Sequence, residues 1–427
     1  MVPHARPGGG VSPLSTPAPV SLVGSPLTGN TALQRLRWHY LAVYAIFGCV
    51  SPYLPVYLGD IKGLSPQQIG LIFAIGQSGV LVLPALMTLM ADRYRIVAPI
   101  MIALFAVNIT AMAGLSLATG LTACLAAVVL NQFANQPQLA LTDGLFFSLQ
   151  ARAGAAAVPF SSVRVWGTIG FIGPSLALFS VYSWGGLTLV PYAAMLMAVA
   201  GLINARHLPR RLTDTGPRAT RLPTIEAARL LLQPRTALFC AGLGCVIAAN
   251  AGYYAFYPVY LTREVGVDPR WIGLIANVGV VIEIAYMLGF ERLQARFGLA
   301  GVTLAGIGAV LVRNVCLAFF PTLTAAVGLQ AVHGLAIVGV HLAPLMILNR
   351  LVTGESYRNS VQGLYAMLVV GVFGITGNFT AGQLAGRGLP LLYQVNLATT
   401  AVGFALVLIA LRWRGSDGTT LGGQSQA

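Results

Sequence analysis

The chain is built from long apolar runs separated by short polar breaks. The runs fall at roughly 37–58, 66–91, 97–118, 120–149, 160–183, 187–206, 236–261, 269–293, 299–320, 321–352, 358–386 and 388–412. Each is close to the ~20 residues an α-helix needs to cross the hydrocarbon core of a bilayer. A helix satisfies its backbone N–H and C=O groups within its own segment, as lipid requires, because lipid offers no partners. The strict in–out alternation of a transmembrane β-barrel does not occur in these runs. The pattern predicts an all-α membrane protein of twelve transmembrane helices.

Composition narrows the function. Of 427 residues, 56% are hydrophobic and 8% charged, against about 25% charged in soluble domains. A soluble enzyme, a DNA-binding domain and a secreted disulfide scaffold are excluded. Cys49, Cys124, Cys240, Cys245 and Cys316 all fall inside apolar runs. With no metal-like or redox spacing they read as small buried hydrophobes, and no metal site is expected. The H-E-x-x-H and G-x-S-x-G patterns of embedded hydrolases are absent, so no enzymatic activity is expected. Residues 1–36 begin with a Pro-, Gly-, Ser- and Thr-rich stretch that predicts a disordered tail rather than a cleaved signal, and 413–427 is expected to be a second tail.

The net charge of +14 suggests a nucleic-acid partner until its placement is followed along the chain. With the N-terminus cytoplasmic, nineteen arginines fall on the inside, many of them in the stretch 207–235. Only Lys62, Arg263, Arg270 and Arg387 fall outside. Such a bias predicts an even number of spans in a cell (plasma or inner) membrane with both termini cytoplasmic. Nucleic acid is therefore not an expected partner.

The chain also matches itself at an offset of 203 residues. PVYLGDIKGLSPQQIGLIFAIG at 55–76 aligns without a gap to PVYLTREVGVDPRWIGLIANVG at 258–279, with eleven identities in 22 positions. The chain thus reads as two six-helix bundles, 37–206 and 236–412, in the same orientation and joined by an Arg-rich cytoplasmic linker at 207–235. Parallel six-helix halves are the plan of major facilitator transporters.

A charge at the centre of a span costs about 2.5–3.5 kcal/mol on insertion scales, so each one needs a partner, a wet cavity or a task. Asp143, Arg164, Glu283 and Arg313 carry such charges, and His333 and His341 share the tenth span. In NQFANQPQLALTDG, Asn131, Asn135, Gln138 and Thr142 form one stripe, and Gln132, Gln136 and Asp143 another about 110° away. Amide bonding between helices and a role at a binding site both fit these stripes. Asp143 and Arg164 end and begin consecutive antiparallel spans, so they could pair, while Arg164 could instead snorkel to the surface. Glu283 and Arg313 lie at similar depth and could form a structural pair. Asn250, Tyr253, Tyr254 and Tyr257 follow i, i+3, i+4, i+7, as a cavity wall or an interfacial belt would. Tyr40, Tyr44, Tyr53 and Tyr57 read as belt. The chemistry suits coupling: a buried carboxylate holds its proton more tightly when stripped of water and less tightly beside a guanidinium, which itself stays charged. Histidine titrates near neutral pH and can relay a proton.

KGLSPQQIG, LTDG ahead of VRVWGTIGF, Glu283, Arg313 and LQAVHGLAIVGVHLA together resemble the phenylpropionate permease-like branch of the major facilitator superfamily, over residues 37 to 412. That branch is similar to lactose permease and other oligosaccharide:proton symporters. The resemblance implies a substrate site at Asp143 and Arg164, with Phe171 in place of the family's sugar-stacking aromatic. It also implies a proton-coupling set at Glu283, Arg313 and His333. Ala336 stands where sugar symporters carry a proton-accepting Glu, which counts against lactose itself. LMADRYR resembles a worn copy of the superfamily's gating loop, keeping Asp92 and Arg93.

The expectation is a monomeric secondary transporter of a small organic solute, coupled to protons and needing no cofactor beyond the proton gradient. An aromatic monocarboxylate is the first expected substrate, and an oligosaccharide or nucleoside the second. Substrate contacts are expected from Asp143, Arg164, Phe171, Asn250, Tyr253, Tyr254 and Tyr257, and proton coupling from Glu283, Arg313, His333 and His341. A proton-driven exporter and a non-transporting membrane sensor are the rival readings.

Overall fold

The computed structural model describes residues 29–94, 96–153, 159–208, 225–351 and 358–413. Of the tails expected at 1–36 and 413–427, residues 1–28 and 414–427 lie outside the described residues, as does 209–224 of the linker; residues 29–36 are not tail but the first turns of a helix, Gly29–Val50. The helices are α1 (Thr31–Val50 with Leu54–Ile61, bent by 41°), α2 (Pro66–Ala91), α3 (Val97–Leu117), α4 (Gly120–Ala153), α5 (Phe160–Gly185) and α6 (Gly186–Ala205). The second half supplies α7 (Pro234–Arg263), α8 (Pro269–Leu288), α9 (Phe290–Phe319), α10 (Leu323–Leu351), α11 (Ser360–Ala385) and α12 (Leu389–Arg412). Ten described helices are long and apolar enough to cross a membrane, and the bent pair of α1 makes an eleventh. α4 is not among them, because its amides and Asp143 dilute its apolar residues.

Local chemistry fixes the ends of the repeated element. Gly63 and Gly266 occupy equivalent positions at φ 67° and 75°, a left-handed turn that a Cβ resists. Ser65 then caps α2 in a capping box with Gln68, and Pro66 sits at the first turn. In the second copy Asp268 accepts from the Arg270 N–H at 3.0 Å, ahead of Pro269. A cap followed by proline starts a helix because proline lacks only an N–H that would be orphaned there.

Packing repeats as the sequence does. α1 lies against α5 and α6, α3 against α6, and α2 against α4; α7 lies against α11 and α12, α9 against α12, and α8 against α10. Asn204 bonds the Arg35 carbonyl at 2.9 Å and Arg235 the Trp413 carbonyl at 3.3 Å, so α1, α6, α7 and α12 gather at one end, the terminal end. The halves meet mainly through α2 with α11 and α5 with α8. At the first contact Gly70 and Gly382 are so close that a Cβ on Gly70 would lie 2.5 Å from the Gly382 Cα. Small residues permit such an approach, the usual basis of helix packing in lipid. These contacts lie from mid-span to the distal end. There Asp60 and Arg263, equivalent positions of the repeat, form an ion pair at 3.2 Å across the halves. Towards the terminal end no pair of described elements from the two halves makes a comparable contact. Among the described residues the halves therefore part towards that end, leaving a hollow between them.

Candidate functional site

Two polar clusters border that hollow, one from each half. In the first, α1 carries Tyr40 and Tyr44 one turn apart, α4 carries Asp143 and α5 carries Arg164. The Tyr40 hydroxyl donates to Asp143 Oδ1 at 2.6 Å. Arg164 Nη2 donates to the Tyr44 hydroxyl, and its guanidinium lies 4.3 Å from the Tyr44 ring centre and 5.9 Å from that of Tyr40. The expected direct Asp143–Arg164 pair is corrected: the two tyrosines stand between the charges. The cause is the close seam of α1 and α5, where Gly170 meets the Leu41 carbonyl and Gly48 the Phe171 carbonyl, setting the aromatic face of α1 against both α4 and α5. Arg164 turns onto that face instead of snorkelling. Phe171, half-buried, sits on the Arg164 face of α5 two turns further along.

In the second cluster Arg313 of α9 is 1% exposed. It donates to Asn250 Oδ1 and lies 3.7 Å from the Tyr253 ring centre. Glu283 of α8 faces α10 instead, with Oε2 3.7 Å from His333 Nε2. The structural Glu283–Arg313 pair that equal depth suggested is therefore not made. Gly334 explains the choice, because a Cβ there would stand 2.7 Å from the Glu283 Cα. Its absence lets α8 and α10 close until glutamate and histidine meet. Gln330 donates to the hydroxyls of Tyr257 at 2.9 Å and Tyr253 at 3.3 Å.

Of the stripe on α7, Asn250, Tyr253 and Tyr257 are buried within their own half. Tyr254 is 44% exposed although it packs against Tyr253 and His333 in mid-span, so it lines the hollow. His341 sits in a π-helical turn, Val338–Leu342. Such turns recur at functional sites.

Two expectations change. Tyr40, Tyr53 and Tyr57 are almost wholly buried in protein, so they form no interfacial belt. Belt and core tyrosines share one composition, and only packing separates them. Among the amides, Asn108, Asn131 and Asn135 close a buried ring of hydrogen bonds between α3 and α4 at 2.8–3.3 Å. Gln136 bonds the Gly76 carbonyl of α2 at 3.1 Å. Both are interhelical packing. Arg93 is exposed near the end of α2, beside Tyr94, and the Asp92 side chain lies outside the described residues.

Sequence reasoning passed over Gly167 and Gln330. Gly167 makes room for the arginine stack: a Cβ there would stand 2.7 Å from the Tyr44 ring and 2.8 Å from Arg164 Nη1. The available signal was a glycine one turn after Arg164 in VRVWG. Among the described residues no group of three or more His, Cys, Asp or Glu side chains is arranged to hold a metal ion.

Duplicated six-helix bundles that close at one end, with charged groups gathered where they part, fit a membrane transporter. The MFS_1 like family matches residues 33–395, and the chain belongs to that family, within the major facilitator superfamily. It is 26% identical to the maltose permease of Geobacillus stearothermophilus, over 88% of this chain and 94% of that one. It is 21% identical to the nucleoside permease NupG of Escherichia coli (strain K12), over 83% and 88%. The crystal structure of the nucleoside transporter NupG superposes with a TM-score of 0.78 at 18% identity, covering 89% of this chain and 98% of that one. An inward-facing, occupied bacterial homologue of the human lysosomal transporter Spinster gives 0.65 at 15% identity, covering 95% and 100%. The chain is a multi-pass membrane transporter and not an enzyme.

Proposed function

We propose that the chain is a proton-coupled symporter of a neutral, hydroxyl-bearing solute with a planar ring, nucleosides being the first class. It works by alternating access in a cell membrane, as a monomer with both termini cytoplasmic, and draws only on the proton gradient. The observation that carries this reading is the charge balance of the hollow. Two guanidiniums, each lying against a tyrosine ring, stand against two carboxylates. Balanced charge favours an uncharged guest, whose hydroxyls can bond Asp143 and Arg164 and whose ring can stack on Phe171 or Tyr254. The names of the permeases it resembles, for a nucleoside and for maltose, point the same way. Glu283 with His333 is the proton carrier in this reading. Their side chains lie 3.7 Å apart on α8 and α10, and His333 Nδ1 has no hydrogen-bond partner among the described residues.

An aromatic monocarboxylate is the second reading, favoured by one observation: Arg164 is only half-buried and meets no carboxylate directly. Proton flux into vesicles holding the purified chain, screened across nucleosides, sugars and aromatic acids, decides between them. Inward proton movement with nucleosides is the expected result. Flux with aromatic acids alone selects the second reading. Proton-driven outward movement of solute makes the protein an exporter, and binding without flux makes it a sensor.

A further inference from the structure

Away from the hollow, a crevice of about 500 Å³ runs between α11 and α12 over a floor from α7. Ala248 and Ala249 keep that floor low, and Phe373 closes one end. On α11 the residues Thr376, Thr380 and Gln383 fall roughly opposite Asn378 and Gly382, which face α2, and Arg387 follows in the turn just past the helix, so the crevice opens away from the other half, onto lipid. The threonine hydroxyls are turned inward. Thr376 donates to the Val372 carbonyl at 2.5 Å and Thr380 to the Thr376 carbonyl at 2.8 Å. Their methyl groups are left for a guest, so the wall is apolar although its sequence is not.

The distal end of the crevice has the opposite character. Gln383 and Arg387 are exposed at its rim, and no described carboxylate lies within ion-pair distance of Arg387. An apolar slot facing lipid, capped at headgroup depth by an unpaired guanidinium, is complementary to one kind of neighbour. We propose that this crevice binds an anionic phospholipid, with an acyl chain along Thr376, Thr380 and the α7 floor and the headgroup phosphate against Arg387 and Gln383. A guanidinium holds a phosphate through charge-assisted, bidentate hydrogen bonds, which a zwitterionic headgroup shares with its own ammonium.

The test is native mass spectrometry of the purified full chain. It is delipidated and then offered phosphatidylglycerol and phosphatidylcholine of matched acyl chains in equal amounts. Retained phosphatidylglycerol should exceed phosphatidylcholine about fivefold, the factor given by ~1 kcal/mol per basic residue near a headgroup. Arg387→Gln should bring the ratio near parity. Arg270→Gln, a distal arginine outside the crevice, should leave it unchanged. Thr376→Trp, which fills the slot, should lower retention of both lipids. An unaltered ratio in Arg387→Gln overturns the proposal, as does equal retention of the two lipids by the unmodified chain.

Discussion

Gly167→Ala isolates the arginine stack from the rest of the fold. The new Cβ would stand 2.7 Å and 3.0 Å from two carbons of the Tyr44 ring and 2.8 Å from Arg164 Nη1. Ordinary contact begins near ~3.5 Å, so ring and guanidinium must each retreat by roughly an ångström. The guanidinium then loses its seat 4.3 Å from the ring centre and its bond to the Tyr44 hydroxyl. A cation–π contact contributes about 0.5–2 kcal/mol, and water in the hollow offsets part of the lost hydrogen bond. A net loss of about 1–2 kcal/mol weakens substrate binding by roughly 5- to 30-fold. Stability should fall by no more than about 2 kcal/mol, because alanine improves the helix by ~1 kcal/mol while crowding costs about 1–3 kcal/mol. The assay is counterflow half-saturation in proteoliposomes, with thermal unfolding measured on the same preparation. Gly173→Ala on the same helix is the control, since its Cβ would meet no heavy atom within 4 Å. If Gly167→Ala keeps the half-saturation of the unmodified chain, Arg164 and Tyr44 do not form the substrate contact argued here.

Glu283→Gln keeps the shape of the side chain beside His333 but cannot carry a proton. It should abolish pH-driven accumulation and leave counterflow largely intact; equal loss of both would give Glu283 a structural role. Arg164→Lys replaces a planar fork with a point charge and should weaken substrate affinity by about tenfold, the upper range of one cation–π contact; unchanged affinity in a binding titration removes Arg164 from the site. Gly382→Val places side-chain atoms where a Cβ already lies 2.8 Å from the Gly70 Cα. It should hold the distal ends apart, lengthening a spin-label distance measured across them and stopping net transport, and a normal distance would refute the role of this seam.

Much of the architecture was legible because lipid imposes a simple rule. Hydrocarbon forces each span to be apolar and internally bonded, so spans announce themselves by composition, and α8 begins and α9 ends within a residue of where the runs 269–293 and 299–320 placed them, while the helix of α9 already starts at Phe290 and kinks at Gly298. The duplication was legible because Gly63, Pro66 and their copies Gly266 and Pro269 are dictated by backbone geometry, which leaves few substitutes. The charged residues of the hollow were legible as unusual, since a charge in a span needs a reason.

Their partners were not. Equal depth along two helices suggested Asp143 with Arg164 and Glu283 with Arg313, but depth leaves the rotation of each helix about its axis undetermined. Glycines at the seams set that rotation: Gly170 and Gly48 bring Tyr40 and Tyr44 between the first pair, and Gly334 brings His333 to Glu283. Sequence alone determined the apolar helical character of the spans, their duplication and which side chains needed a wet interior, because each follows from the solvent or from a local backbone requirement. Tertiary structure alone decided which charges meet, which tyrosines are core, and at which end the halves part, because those depend on close approaches between helices far apart in the chain.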